Sequence, residues 1–560
     1  MTAPRRSLPA PNRVRTPWTR ARLQLIVVLA VIVALFPVSL IYSGISPGTL
    51  VDGLDNMRRL LARMYPPRFG DISDLVGLAF ETFMIAVAGT AMAVVLSIPL
   101  AFAAARNTAR HRYLASTSRS VIVSARAIPD LVFALIFVRV LGLGPFAGVL
   151  AIGFHSIGML GKVFADAIEE IEPGPLDAVR SAGATPRQTR VSAVVPQVLP
   201  SLIGMTLYRL DINVRASAIL GLVGAGGIGT KLAERLGTLQ YERAFGIIVV
   251  IFLMIVAVEK LSSGIRKTLL ISTFEAPSSW STRLLSRVTG TKAEAPSPEA
   301  MTIRLPWSSD RIMKTFYMGT GIVLVAASVF FAEVRVGRLI DSPPKIWKIV
   351  SGMWPPDFSR FASLSGDLME SFWMAYAATF VGVAISLIPG MLGARNLAPT
   401  RAIYNLARYF VVLVRGVPHL IWALLFVSAV GLGPFAGTMA LLIGTVGITS
   451  KFFMDSAEEI DEEPRDAVTA TGASGGQVTA AAVVPQVLPA FIASSLYSFD
   501  INLRGSVILG IVGAGGIGFA LLESVRSLNY DRTAAIMILV FVLVLVVERI
   551  SGWVRKQLIG

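Results

Sequence analysis

The sequence predicts an all-α, polytopic membrane protein with about twelve transmembrane helices, arranged as two consecutive six-helix domains. Two observations predict this fold. Hydrophobic residues make up 54% of the 560 residues and charged residues only 15%, a balance unlike that of a soluble domain. The chain also repeats itself at one fixed offset over most of its length, which indicates two copies of the same domain.

The offset between the copies is the same for motifs and for single charged residues. GLGPFAG, AVVPQVLP and GLVGAGGIG begin at 142, 193 and 221, and their repeats begin at 431, 482 and 510, so each pair is 289 residues apart. Charged positions related by this offset are Glu81 and Glu370, Arg126 and Arg415, Asp177 and Asp466, Asp211 and Asp500, Arg215 and Arg504, and Glu259 and Glu548. Two copies joined head to tail therefore account for most of the chain.

Six apolar stretches in the first copy have about the length that crosses a bilayer, ~20 residues. They lie at 23–43, 75–105, 118–141, 146–168, 196–223 and 244–264. The second copy repeats them from about residue 312. An even number of spans returns the chain to its starting side, so we expect the copies to lie parallel, related by an axis along the membrane normal.

We expect a first domain at 1–265, a solvated linker at 266–311 and a second domain at 312–560. The linker is rich in Ser, Pro, Thr and charged residues. Because Lys and Arg are concentrated in cytoplasmic segments, both termini and the linker are predicted to be cytoplasmic. The segment 44–74, predicted to lie outside, is an exception because it contains four arginines.

Composition and motifs argue against several functional classes. The net charge is +16, but the basic residues stand mostly at the ends of apolar runs, which argues against nucleic-acid binding. The chain has no cysteine and three scattered histidines, so no metal site is predicted. Gly161-Lys162 lacks both the first glycine and the Ser or Thr of a phosphate-binding loop. We therefore do not expect an enzyme, and no catalytic residue is assigned.

A glycine-rich run follows the fifth apolar stretch of each copy. It satisfies a dinucleotide-binding pattern, but that pattern needs a preceding strand in a soluble unit. We expect instead a helix break, because irregular backbone within a membrane must be buried in protein or line a cavity. Tight helix packing by small residues is the alternative. The candidate gate residues are Gly224, Gly226, Gly227, Gly513, Gly515 and Gly516.

A polar segment follows the fourth apolar stretch of each copy, at 169–195 and 458–484. The first contains Asp177-Ala178-Val179 and then Gly183, and the second has the same pattern at the same spacing. This pattern resembles the conserved cytoplasmic loop of ABC importer permeases, although the family's leading Glu is Asp and its second Ala is Val in both copies. An ordinary solvated connection is the alternative, but the identical spacing in two copies favours the resemblance.

The resemblance implies a type I importer permease fold and three partners. In that family the loop forms a short coupling helix that binds in a groove of an ATPase subunit. Two copies of a separate ATPase would carry ATP and Mg, leaving no cofactor in this chain, and an extracytoplasmic solute-binding protein would deliver substrate. The third partner is the lipid bilayer, in the plasma membrane of a prokaryote. The implied ATPase-coupling residues are Asp177, Ala178, Gly183, Asp466, Ala467 and Gly472.

A second resemblance narrows the substrate. Asp211-Ile-Asn213-Val-Arg215 followed by GLVGAGGIG, together with Arg126-Ala-Ile-Pro129, is similar to the phosphonate branch of these permeases. This resemblance implies import of a small oxyanion such as phosphonate, phosphate or phosphite. An ABC permease for another small solute, or a proton-coupled secondary transporter, is the alternative. The paired coupling loops favour an ATP-driven importer over the secondary transporter.

Ionisable residues within the spans are candidates for the substrate pathway, because a charge in a membrane is costly. The guanidinium group matches tetrahedral oxyanions. The candidates are Arg126, Arg215, Arg415 and Arg504, with Asn213 and Asn502. The alternative is neutralisation along one helix face, of Arg215 by Asp211, of Arg504 by Asp500 and of Arg126 by Asp130. Because Arg415 has His419 in place of such an aspartate, Arg415 is the best candidate for free contact with an anion.

Overall fold

The computed structural model describes residues 20–271 and 309–559. Every regular element in these two ranges is helical. Helix continues to Ile271 and begins again at Ser309, so both ends of the predicted linker 266–311 are helical. The remainder of that linker, and the basic N-terminal residues 1–19, lie outside the described residues. The predicted domain boundaries stay predictions.

The two copies contain matching helices in the same order, except that one helix of the first copy, Pro47–Met64, corresponds to two shorter helices in the second, Val336–Ile340 and Pro343–Gly352. In the first copy they are α1 (Arg20–Tyr42), α2 (Pro47–Met64), α3 (Ile72–Ala104), α4 (Arg112–Ala127), α5 (Asp130–Leu141), α6 (Pro145–Glu169), α7 (Pro173–Ser181), α8 (Pro186–Thr189), α9 (Val195–Leu220), α10 (Ile228–Gly237) and α11 (Tyr241–Ile271). In the second copy they are α12 (Ser309–Phe331), α13 (Val336–Ile340), α14 (Pro343–Gly352), α15 (Phe361–Leu392), α16 (Arg401–Gly416), α17 (His419–Val430), α18 (Pro434–Glu458), α19 (Glu462–Ala470), α20 (Gly475–Val478), α21 (Val484–Gly510), α22 (Ile517–Arg526) and α23 (Tyr530–Ile559).

Within the described residues, eight helices are long and apolar enough to cross a membrane, or up to eleven if each bent pair counts as one span. The predicted third span, 118–141, is such a bent pair, because α4 and α5 meet at an angle of 88°. Pro129 has no N–H to donate and disfavours helical backbone at Ile128 before it. The corresponding helices α16 and α17 meet at 81°, at Val417-Pro418. The third apolar stretch of each copy is therefore two helices joined at a bend, which the apolar length alone did not indicate.

The first helix of each copy packs against the other copy. In α1, Phe36 stacks on Phe380 of α15 with ring centroids 4.3 Å apart, and the Ile32 carbonyl accepts a hydrogen bond from the Tyr376 hydroxyl. In α12, Phe331 meets Phe80 of α3 edge to face at 5.1 Å. The two copies are thus interlocked by an exchange of their first helices.

The short helices α5 and α17 also reach across the boundary between the copies. Leu131 and Leu135 of α5 belong to a buried cluster with Val507 and Val540 of the second copy. Ile421 of α17 and its neighbour Leu425 belong to a cluster that includes Ile251 and Ile255 of α11 in the first copy. Burial of apolar side chains contributes about 25 cal/mol per Å², so these reciprocal insertions stabilise the two copies as one unit.

Candidate functional site

The first polar segment contains a short exposed helix, α7. Asp177 and Ala178 lie on its exposed surface. The helix ends before Gly183, which has φ +81°, a conformation that glycine adopts without steric cost. Thr185 then caps α8, accepting a hydrogen bond from the backbone N–H of Gln188, whose side chain accepts from the N–H of Thr185. A defined, solvent-facing helix therefore stands where the coupling residues were predicted.

The second polar segment has the same geometry and a different charge. Asp466 and Ala467 are exposed on α19, and Gly472 ends that helix with φ +80°. Its first turn carries Glu462 and Glu463, whereas α7 has no acidic residue in its first turn and Arg180 in its last. The two exposed helices thus offer one shape with two different electrostatic surfaces.

A carboxylate ties each polar segment to the helices beside it. Glu169, the last residue of α6, accepts hydrogen bonds at Oε1 from the Arg106 backbone N–H and from Arg119 Nη2, both at 2.8 Å. In the second copy Glu458 accepts from the Arg395 N–H and from Arg408 Nη2 at 2.8 and 2.7 Å. Arg119 and Arg126 lie two turns apart on α4, so the helix that is tied to the polar segment also carries a candidate arginine of the pathway.

Two ion pairs cross the boundary between the copies. Arg126 of α4 pairs with Glu548 of α23, and Arg415 of α16 pairs with Glu259 of α11. Both arginine side chains are only 20% exposed. The two pairs are related by the 289-residue offset, so the same contact occurs once in each direction, as at a two-fold interface.

The remaining two candidate arginines are also neutralised. Arg215 Nη2 lies 3.1 Å from Asp211 Oδ2 and 3.1 Å from Glu259 Oε2. Arg504 pairs with Asp500 on its own helix. Four carboxylates therefore face four arginines at the boundary, and the expected electropositive surface is absent from these residues in this conformation.

Two sequence-based expectations about partners were wrong. Arg415 is paired and not free, because Glu259 arrives from the other copy. Arg126 does not pair with Asp130 on one helix face, because the chain bends between them. Glu259 and Glu548 were not assigned as site residues, although both stood among the charged positions related by the offset. Their shared spacing was the available signal.

Asn213 and Asn502 were expected along the pathway, but the structure places both in the interior of their own copies. Asn213 is 0% and Asn502 1% exposed. The Asn213 amide donates to Thr90 Oγ1 at 2.8 Å and accepts from Ser156 Oγ at 3.1 Å. Asn502 donates to Thr379 Oγ1 at 2.8 Å. These amides join three helices, and in this conformation they are engaged within the protein.

The glycine-rich runs break the helix as expected. Gly224, Gly226 and Gly227 have φ between +75° and +89°, and α10 starts directly after them. Glu81 Oε1 accepts from the Gly227 N–H at 2.9 Å, and Thr82 Oγ1 accepts from the next N–H at 2.8 Å. The carboxylate thus satisfies backbone donors at the start of a helix, where negative charge is favoured.

The second copy repeats that turn. Gly513, Gly515 and Gly516 have φ from +77° to +87°, and Glu370 Oε1 accepts from the Gly516 N–H at 2.8 Å. A Cβ added to Gly515 would lie 2.7 Å from both Glu370 Oε1 and Pro434 Cα. Any side chain at this glycine would therefore displace the turn from the helices that hold it.

One buried group breaks the symmetry of the copies. In the first copy Arg209, 5% exposed, donates from Nε to Ser156 Oγ at 2.9 Å, and Asp130 lies within its electrostatic reach. The second copy has Ser498 in place of Arg209 and His419 in place of Asp130. The two halves of the boundary are therefore not chemically equivalent.

Comparison with known proteins identifies the family. The family described as "Binding-protein-dependent transport system inner membrane component" matches residues 97–267 and 382–560. "Phosphate-import permease protein PhnE" of Mycolicibacterium smegmatis is 44% identical over 514 residues, covering 92% of this chain and 91% of that protein. "Phosphite transport system permease protein PtxC" of Stutzerimonas stutzeri is 42% identical, covering 39% of this chain and 80% of that protein.

Among solved structures, a chain of the MetNI methionine ABC transporter in an inward-facing conformation matches 39% of this chain and 99% of its own length, with 20% identity and a TM-score of 0.31. The family itself is established by sequence, since it matches both copies and one relative is matched over nearly its whole length. The predicted family and tandem duplication are confirmed: the chain is an integral inner-membrane protein that belongs to the binding-protein-dependent permeases of ABC transporters, with two permease domains fused in one polypeptide.

Proposed function

We propose that this chain forms the whole translocation path of an ATP-driven importer for a small phosphorus oxyanion, namely phosphate, phosphonate or phosphite. The observation that carries the proposal is the reciprocal ion pairing of Arg126 with Glu548 and of Arg415 with Glu259. Both halves of the path come from one polypeptide. The carboxylates of Glu259 and Glu548 close the contact between them, and an anionic substrate can take the place of these carboxylates at the arginines. The names of the similar permeases support the substrate class.

The exposed helices α7 and α19 bind two copies of a separate ATPase subunit, in which ATP and Mg reside. Closure of the two ATPase subunits moves Glu169 and Glu458 at the start of the polar segments. Because these carboxylates pair with Arg119 and Arg408, α4 and α16 move with them. Since these two helices carry Arg126 and Arg415, the motion separates the cross-boundary pairs. The N- and C-termini and both coupling helices face the cytoplasm, and a solute-binding protein delivers the oxyanion to the opposite face.

Release of the carboxylates gives the path its anion affinity. While Glu259 and Glu548 hold the arginines, the boundary is neutral and an oxyanion gains little by entering. When the copies separate, a guanidinium fork becomes free to form charge-assisted hydrogen bonds with the oxyanion. Return of the carboxylates then displaces the ion, so that binding is transient. Gly224, Gly226 and Gly227, with their repeats, provide the backbone turn beside this path that acts as the gate.

The proposal is tested by uptake of labelled phosphate into vesicles that contain this chain, its ATPase and its solute-binding protein. We expect uptake that requires ATP and that phosphonate or phosphite inhibits by competition. Uptake that ignores ATP and follows a proton gradient would support a secondary transporter instead. ATP-dependent uptake of another solute that no phosphorus oxyanion inhibits would leave the assignment as an ATP-driven permease intact and overturn the proposed substrate class.

A further inference from the structure

A basic cavity lies at the edge of the boundary between the copies, away from the cross-boundary ion pairs and beside the first coupling segment. The cavity measures about 770 Å³ and is formed by the turn after α3, by one face of α4 and by Phe541 of the second copy. Its basic lining residues are Arg106, Arg110, Arg112 and Arg119, with His111. A second cavity of about 610 Å³ shares Arg110 and adds Arg180, Arg187 and Arg190 from the coupling segment and the turn that follows it. Among residues 20–271 and 309–559, no Asp or Glu lines either cavity.

Most of this positive charge is uncompensated. Within the described ranges 20–271 and 309–559, Arg119 pairs with Glu169 and Arg180 lies 3.9 Å from Asp177. The side chains of Arg106, Arg110 and Arg112 form no ion pair in that part of the chain. Like charges in one concave site repel each other, so the site favours an anionic ligand that is absent from the protein itself.

The wall of the first cavity also presents hydroxyl groups. Ser116, Ser120 and Ser124 follow one another at four-residue spacing on α4, and all three line the cavity. Residues four apart lie on one helix face. Guanidinium groups at the rim and hydroxyls along the wall together match the oxygens of a phosphate group, which accept both kinds of hydrogen bond.

Membrane topology alone does not explain the cavity. A rule that retains Arg on the cytoplasmic side acts equally on both copies, yet the second copy lacks most of these residues. Its residues at the positions of Arg110, Arg180, Arg187, Arg190, Ser120 and Ser124 are Pro399, Thr469, Gly476, Thr479, Tyr409 and Leu413. The basic, hydroxyl-lined cavity is thus a property of the first copy, superimposed on a shared fold.

We propose that this cavity binds a phosphate group, carried either by an anionic phospholipid or by free phosphate. Basic pockets beside membrane-spanning helices suit lipid headgroups, and Phe541 and Val123 give the cavity an apolar side. The ligand competes with Glu169 for Arg119, and so it loosens the tie between α4 and the coupling segment. The site therefore regulates coupling from the first copy only, and its binding does not depend on which solute the chain transports.

The test uses the purified full chain in phosphatidylcholine nanodiscs and compares a cavity variant with a control variant in the second copy, where Pro399 stands at the position of Arg110. One combines Arg106→Gln, Arg110→Gln and Arg112→Gln, whose side chains are exposed. The control combines Arg395→Gln and Arg401→Gln at the corresponding positions of the second copy. Inorganic phosphate is titrated at constant ionic strength, and native mass spectrometry counts phosphatidic acid molecules retained when that lipid is added.

We expect the first variant to bind phosphate or phosphatidic acid ~10-fold more weakly than the wild type, as follows from loss of charge-assisted hydrogen bonds. The control is expected to match the wild type. Saturable binding of inorganic phosphate in phosphatidylcholine identifies free phosphate as the ligand, and retention of phosphatidic acid alone identifies the lipid. Equal binding by wild type and first variant, or equal loss in the control, overturns the site. A first variant that binds both ligands as the wild type does, but no longer copurifies with the ATPase subunit, also overturns the proposal. The cavity would then be a contact surface for that protein.

Discussion

Arg126 of the first copy contacts Glu548 of the second, and the residues 289 positions away from each, Arg415 and Glu259, form the same contact in the opposite direction. Each arginine comes from the end of a helix that bends at a proline, and each glutamate from the last long helix of the other copy. The two copies, joined in one chain, thus share a contact of the kind found in a symmetric dimer. At the boundary each arginine is held by a carboxylate, and an oxyanion could take the place of that carboxylate.

Removal of one partner is expected to cost more than exchange of both. Arg126→Gln leaves Glu548 without its cation, and we expect a loss of about 1–3 kcal/mol, below the 3–5 of a fully buried pair because Glu548 is 40% exposed. The double variant Arg126→Glu, Glu548→Arg should recover most of the stability. Thermal unfolding in nanodiscs measures both. The same exchange at the exposed pair Asp55–Arg59 is the control, with no expected change. Equal losses at both pairs would contradict the role of the boundary.

Arg209, which is absent from the second copy, is expected to stabilise the first copy through its charge interaction with Asp130. Arg209→Gln removes the buried donor to Ser156 Oγ and the cation that acts on the Asp130 carboxylate, so we expect a loss of about 1–3 kcal/mol in stability. The double variant Arg209→Gln, Asp130→Asn removes both charges and should regain most of it. Chemical unfolding of the purified chain measures the three values. A double variant no more stable than the single one would mean that Arg209 acts through Ser156 and not through Asp130.

The glycine turn is expected to depend on the carboxylate that holds it. Glu370→Ala leaves the half-buried Gly516 N–H without its acceptor and should cost about 1 kcal/mol, whereas Glu370→Gln keeps an oxygen and should cost less. Gly515→Ala should also destabilise, because of its φ of +87° and its close neighbours.

The control for the turn is Gly174→Ala, at a helical glycine with open space around it, which should be neutral or slightly stabilising. Thermal unfolding midpoints compare all four variants. If Gly515→Ala unfolds at the wild-type temperature, the turn is not the rigid element that the hydrogen bonds indicate.

The exposed face of each coupling helix is expected to bind the ATPase. Ala178→Trp and Ala467→Trp place a bulky side chain on that face without entering the core, so we expect loss of ATPase copurification and of uptake with an unchanged unfolding temperature. Leu54→Trp, at a site 73% exposed on α2, is the control and should behave as the wild type. Normal copurification of the ATPase with both tryptophan variants, Ala178→Trp and Ala467→Trp, would exclude these surfaces as the docking sites.

Much of the fold was predictable because duplication and apolar length are properties of the sequence itself. The bend at Pro129 was missed, since hydropathy averages across 118–141 whatever the angle, although a proline after Ile128 was a local signal. Partners such as Glu548 for Arg126 lie hundreds of residues apart, and spacing on one helix cannot reveal them.

Asn213 illustrates a different error. At 100° per residue, it lies about 200° around α9 from Asp211 and hence away from the face that Asp211 shares with Arg215. Helix geometry therefore indicated that Asn213 and Arg215 have different environments. Their proximity in sequence led to the prediction that both line one substrate pathway. In the structure Asn213 lies in the interior of its copy, whereas Arg215 lies at the charged boundary between the copies.

The central claim is that the cross-boundary pairs must separate for transport, and a crosslink tests it most directly. The chain has no cysteine, so Arg126→Cys and Glu548→Cys create a single thiol pair, and replacement of both partners leaves no charge unpaired at that contact. Arg215, Arg415 and Arg504 remain in this variant, so we expect ATP-dependent phosphate uptake at a reduced rate before crosslinking. After treatment with a cleavable thiol crosslinker, we expect that uptake to stop and to return on cleavage. A crosslink between Asp55→Cys and Arg59→Cys on one helix should have no effect. Uptake at the uncrosslinked rate with the 126–548 crosslink complete would contradict the claim.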